Sequence, residues 1–143
     1  GADGAGEADV ALEPRLAAAA LLLEIAASDG SVGPDEREAI VGVLQRRFEL
    51  AAGEVQTLLT VAQEQHAEAA QLVRFTQALK QRYSEAERTE IIEMLWEVAY
   101  ADGALHAYED NLLRRIGGLL YVSDRDRGEA RKRVLKRLQG GAV

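Results

Sequence analysis

Glu24-Ile25-Ala26-Ala27-Ser28-Asp29-Gly30-Ser31-Val32 aligns without gaps on Glu97-Val98-Ala99-Tyr100-Ala101-Asp102-Gly103-Ala104-Leu105, at an offset of 73 residues. At the same offset Glu36 falls on Glu109 and Phe48 on Tyr121. Each copy reads as a helix, an Asp-Gly corner, a branched apolar residue, and a Glu seven residues after the Asp at the start of another helix. Glycine releases the backbone into the turn that stops the first helix, and Val32 or Leu105 then tucks into the core. Self-similarity of this kind constrains fold and site together. The chain is expected to be an all-α, seven-helix bundle with an internal duplication: three helices, one linking helix, and three helices again.

Outward from the corners the apolar spacing places each helix. Leu12, Leu16, Ala19, Leu23 and Ala26 predict a first helix over about 14–28 with Pro14 at its start. Pro34 suits the first turn of a second, which carries Ile40, Val43, Leu44 and Phe48 on one face. Gly53 and Glu54 open a third through Val55, Leu58, Leu59 and Ala62, and Leu72, Phe75, Leu79 and Tyr83 mark the core face of a fourth. Ser84 with Glu87 is a capping box for a fifth through Ile91, Leu95, Val98 and Ala99. Leu112, Leu113, Ile116, Leu119 and Leu120 make a sixth, and Ser123 with Asp126 caps a seventh through Ala130, Val134 and Leu138. Residues 1–11 read as a flexible N-terminus, 12–138 as one helical domain, and 139–143 as a flexible C-terminus.

Composition agrees with one helical domain. A chain of 143 residues buries roughly 68–70% of its unfolded surface without needing staples. With 48% hydrophobic, 29% charged and only 5% aromatic residues, it should fold, and into helices rather than strands. The absence of Cys excludes disulfides, thiolate zinc sites, iron–sulfur ligation and cysteine nucleophiles. The apolar run from Leu16 to Ala27 is broken by Glu24 and too short to span a bilayer, and no charged segment precedes it as in a secretory signal. A cytoplasmic location is expected. Net charge is −7, yet residues 124–143 hold seven Lys/Arg against three Asp/Glu, which leaves the rest at −11. An acidic body with a basic tail argues against nucleic-acid binding.

The repeated corners supply the candidate metal-ligating residues, Asp29, Glu36, Asp102 and Glu109. Packing of the copies about a pseudo-twofold axis would bring the four carboxylates together. Because all are oxygen ligands, a divalent cation such as Ca²⁺ or Mg²⁺ is expected rather than Zn²⁺. The structural alternative makes the Asp residues turn formers before Gly and the Glu residues favourable charge near helix N-termini. Gly30, Val32 and Glu36 also match the second half of an EF-hand loop. However, Ile25 and Ala27, or Val98 and Tyr100, would stand where that loop needs oxygen ligands, so an EF-hand is rejected. Glu24 and Glu97 recur too, in an ion-pair or supporting role. His66 and His106 read as surface residues, with His106 a fifth ligand at most. Serines at helix boundaries are caps, and no nucleophile elbow, phosphate loop or general-base pair stands out, so no enzymatic activity is expected.

Ala27-Ser28-Asp29-Gly30-Ser31-Val32-Gly33-Pro34-Asp35-Glu36-Arg37-Glu38 and the later Tyr100-Ala101-Asp102-Gly103-Ala104-Leu105-His106-Ala107-Tyr108-Glu109-Asp110-Asn111-Leu112-Leu113-Arg114-Arg115-Ile116 resemble the duplicated signature of the tellurite-resistance TerB-like family. The similarity covers about residues 12–138. It implies an all-α bundle, found also in DjlA-type membrane-anchored co-chaperones, and an association with metal and stress responses rather than a defined reaction. It further implies acidic, cation-binding residues, which map onto Asp29, Glu36, Asp102 and Glu109. Many members carry a second acid directly before the last Glu; here the first copy has Asp35 and the second has Tyr108.

Two functions follow. The first is a non-enzymatic, cation-binding module linked to tellurite, metal or general stress. The second is a helical protein-interaction adaptor without metal, docking through the Trp96 region or through its basic last helix. That helix carries Arg125, Arg127, Arg131, Lys132, Arg133, Lys136 and Arg137. Its charge either complements the acidic body or meets a protein partner or an anionic membrane surface through residues 125–137.

Overall fold

The computed structural model describes residues 13–28, 32–64, 69–101, 103 and 107–141. Within them run seven helices and no strand: α1 (Pro14–Ala26), α2 (Pro34–Phe48), α3 (Ala52–Gln63), α4 (Ala69–Arg82), α5 (Glu85–Ala99), α6 (Ala107–Leu119) and α7 (Asp124–Gly141).

The alanine-rich helix α1 is the centre of the bundle. Ala17, Ala18, Ala19, Ala20, Leu21, Leu22, Ile25 and Ala26 are all buried, so its apolar surface runs round the whole circumference rather than along one stripe. A helix apolar on every side is a core helix. Its small side chains let α2, α3, α4, α5 and α6 all pack directly against it. Leu16 and Leu23, expected as core positions, are only partly buried. The fourth helix is likewise more than a connector, because Leu72, Phe75, Ala78 and Leu79 are buried and it lies against α1.

Helix boundaries recur along the chain. α1 ends at Ala26 and α5 at Ala99, with following residues Ala27 (φ −92, ψ 6) and Tyr100 (φ −92, ψ 4) in the same conformation. α2 begins at Pro34 and α6 at Ala107, again 73 residues apart. At their far ends the offset is 72: left-handed Glu49 (φ 53) and Tyr121 (φ 58) precede Leu50 and Val122, whose N–H groups reach back to Gln45 and Gly117. No left-handed residue ends α1 itself, and Gly30 lies outside the described residues. At the second corner Gly103 has φ 90 and donates its N–H to the Tyr100 carbonyl at 2.9 Å, as expected of glycine there.

The expected caps are present. Ser84 Oγ accepts from the Glu87 N–H while Glu87 accepts from the Ser84 N–H, and Ser123 Oγ accepts from the Asp126 N–H. α7 lies chiefly along α5 and continues past Leu138 to Gly141. No described helix is long and apolar enough to cross a membrane.

Candidate functional site

The corner acids fall into two groups. Asp29 and Asp102 lie outside the described residues, as do His66 and His106. Glu36 and Glu109 both occupy the third position of their helices, α2 and α6, and both are drawn inward, at 6% and 2% exposed. Pro34 starts α2 with its φ already helical. Glu36 then folds back so that its Oε1 accepts the Gly33 N–H at 2.9 Å. Gly33 makes that approach feasible, since a Cβ there would come within 3.1 Å of the same oxygen. The structural role foreseen for Glu36, charge at a helix N-terminus, is therefore realised as a cap. Among the described residues no group of three or more His, Asp or Glu is placed to hold a metal.

A second polar centre went unnoticed in the sequence. Glu93 of α5 is only 7% exposed and is held by arginines from two helices: Arg47 of α2 at 3.2 Å, and Arg133 and Arg137 of α7 at 3.0 Å each. Burial alone would raise the Glu93 pKa. Hydrogen bonds from Arg137 and Arg133, with the charges of Arg133 and Arg47, outweigh it and hold the carboxyl below its ordinary value. Glu97, one turn on, pairs with Arg46 of α2 and with Arg137 at 3.0 Å. The basic face of the last helix is thus partly spent on the acidic face of α5, as its charge complementarity suggested. The signal was present as Glu90, Glu93 and Glu97 at helical spacing, and as Arg133 and Arg137 four apart.

Glu24 and Glu97, equivalent in the alignment, differ in the fold. Glu97 is paired, whereas Glu24 on the central helix has no ion pair among the described residues, and partial burial raises its pKa. Trp96 is buried, stacked on Tyr100 at 5.8 Å, and covered by Arg131, whose guanidinium lies 5.6 Å from the indole ring. The indole ring is therefore part of the core. Beside the arginine–glutamate network, α2, α5 and α7 enclose an open cleft of about 560 Å³ lined by Asp35, Glu38, Gln45, Arg46, Glu97 and Leu138 among others.

The family model for tellurite resistance protein TerB matches residues 15–132, most of the chain. The chain belongs to the TerB family. That match runs from the central helix α1 through both corners and ends within α7, before Arg133 and Arg137. No curated protein and no solved structure matches the chain.

Proposed function

We propose that this TerB-family chain is a non-enzymatic module of the tellurite, metal or general stress response that takes a divalent cation, Ca²⁺ or Mg²⁺ rather than Zn²⁺, at its Asp-Gly corners. The observation that carries the reading is the placing of Glu36 and Glu109, both nearly buried and both at the third position of the helix after a corner. Glu36 receives one N–H on Oε1, while its second oxygen, which no hydrogen bond or ion pair among the described residues engages, keeps contact with solvent and can take a ligand. A hard cation held with Asp29 would bind there in the first copy, and Asp102 with Glu109 offers the same donor chemistry in the second. Calorimetric titration of chelator-treated protein tests this. Ca²⁺ or Mg²⁺ should bind and Zn²⁺ should not compete, and loss of the signal in Glu36→Gln and Glu109→Gln should follow. Absence of heat for every metal at millimolar concentration would remove the reading.

One observation favours the second function, an adaptor for a protein partner. Asp35 and Glu38 on the wall of the α2–α5–α7 cleft have no ion pair among the described residues, which suits a basic segment. In this reading the cleft replaces the Trp96 ring as the docking place. Pull-down with Asp35→Lys/Glu38→Lys against wild type separates it from the cation reading, whose calorimetric signal does not require Glu38.

A further inference from the structure

The last helix is held to the bundle in an unusual way for a core-closing element. Of the described side chains of α7, Ala130 and Val134 are the buried ones, both small. Leu135 is half-buried, and the rest of its hold is chiefly polar. Arg133 and Arg137 reach Glu93, Arg137 also reaches Glu97, and Arg131 donates to the Tyr100 hydroxyl at 2.7 Å while covering Trp96.

The seat that α7 fills remains satisfied when α7 leaves it. Glu93 keeps Arg47 and Glu97 keeps Arg46, both from α2, so neither acid is left without a cation. That avoids the penalty that makes removal of one partner of a buried pair so damaging. The Trp96 Nε1–H is buried with no acceptor among the described residues, so water reaching it would satisfy this donor instead of breaking a bond.

The connection is also strained. Leu120, Tyr121, Val122 and Ser123 join α6 to α7, and Tyr121 is held at φ 58 with its side chain 72% exposed. That backbone conformation is disfavoured for a residue with a Cβ, and an extended connection relieves it. Short strained hinges of this kind favour exchange of the element they carry.

We propose that α7 exchanges between copies of this chain, so that the seat formed by α2 and α5 of one copy receives α7 of the second. The seat fits a basic helix with guanidinium groups four residues apart and small side chains facing α5. The α7 of a second copy meets those demands by identity and reuses every contact that α7 makes in the closed form. An extended hinge, by contrast, gives up the Val122 N–H bond to the Gly117 carbonyl and disturbs buried Leu120 and Val122 and the Arg88 contact with the Leu120 carbonyl. Only the hinge changes conformation.

The absence of cysteine allows a direct test. Glu38 of α2 and Leu138 of α7 line the same cleft, are exposed, and take part in no ion pair among the described residues. Chains carrying Glu38→Cys and Leu138→Cys singly are mixed at high concentration and moderate salt, which weakens the arginine–glutamate contacts, and treated with a short bis-maleimide. A chain carrying both substitutions establishes that the reagent spans the pair within a monomer. Exchange predicts a covalent mixed dimer that neither single variant forms alone. Monomers throughout by light scattering overturn the proposal, as does a dimer that yields no mixed cross-link, since it then assembles through another face. Tyr121→Gly, which accepts the left-handed turn without strain, should lower the dimerisation constant about fivefold per hinge, and an unchanged constant counts against exchange. If only monomers form, yet a peptide of residues 124–141 shifts the fluorescence of the sole tryptophan, the seat opens to foreign basic segments and exchange between copies is wrong.

Discussion

Arg137 of the last helix donates to Glu93 of the fifth at 3.0 Å, across a sequence separation of 44 residues. The same guanidinium reaches Glu97 at 3.0 Å, so one side chain ties α7 to two successive turns of α5. Charge-assisted contacts of this kind exceed neutral hydrogen bonds in strength when the carboxylate is shielded from water. Here Glu93 is the shielded partner and the arginines are the half-exposed ones.

Glu93→Gln is expected to lower stability by about 1.5–3 kcal/mol at neutral pH, read as a fall in melting temperature of roughly 5 °C or more. The folded-state pKa of Glu93 lies below its ordinary value of 4.5. Its contribution is therefore complete above that value and is lost as pH falls through the folded pKa. Thermal melts of wild type and variant between neutral pH and strongly acid solution should converge at the acid end. A constant gap would mean the carboxylate charge plays no part.

Glu24 has the opposite sign. Partial burial raises its pKa, so the folded state disfavours its charged form, and this cost is complete above the folded pKa and disappears as pH falls below the ordinary 4.5. Glu24→Gln should raise the melting temperature by about 1–2 °C at neutral pH. The gain should vanish in mildly acid buffer. Differential scanning calorimetry of the two proteins across that range is sufficient, and a destabilised variant at neutral pH would show that Glu24 has a partner in solution.

The charges on α7 are not equivalent. Lys132 is largely exposed and, among the described residues, pairs only with Glu129 of its own helix at 3.6 Å, whereas Arg137 binds Glu93 and Glu97. Lys132→Glu with Lys136→Glu should leave the melting temperature within about 2 °C, because exposed pairs contribute little. Arg137→Glu should lower it clearly, by placing a third carboxylate beside two others. Equal effects would show that overall charge, not the specific pairing, holds α7.

Cation binding at the corners has a thermal signature. A metal that binds only the folded state at a hundredfold excess over its dissociation constant adds about 2.7 kcal/mol. Ca²⁺ or Mg²⁺ should therefore raise the melting temperature of the wild type by about 5–10 °C. Glu36→Gln should keep the metal-free melting temperature almost unchanged, since the Gln carbonyl oxygen still accepts the Gly33 N–H, while abolishing the rise together with Glu109→Gln. Variants that respond to metal as the wild type does would assign both residues to capping alone.

The sequence by itself determined that the chain is helical, where most helices begin and end, and which residues cap them. Those are local matters: Pro34, the Ser84–Glu87 box and the positive φ of Gly103 act within a few residues of where they stand. The repeat also placed Glu36 and Glu109 at equivalent helix positions, as the structure shows. Its apolar spacing missed the central place of α1, although the run from Leu16 to Ala26 already carried that signal, because an unbroken alanine–leucine run has no single face to read. What only the tertiary structure decided is which charges meet. Nothing local distinguishes Glu24 from Glu97, or Arg137 from Lys136. Their fates separate because α2 and α7 bring arginines to α5, and no Lys or Arg among the described residues pairs with the half-buried Glu24 of the central helix. A carboxylate takes its chemistry from its neighbours in space, and in a helical bundle those neighbours come from elements that packing, not spacing along the chain, sets side by side.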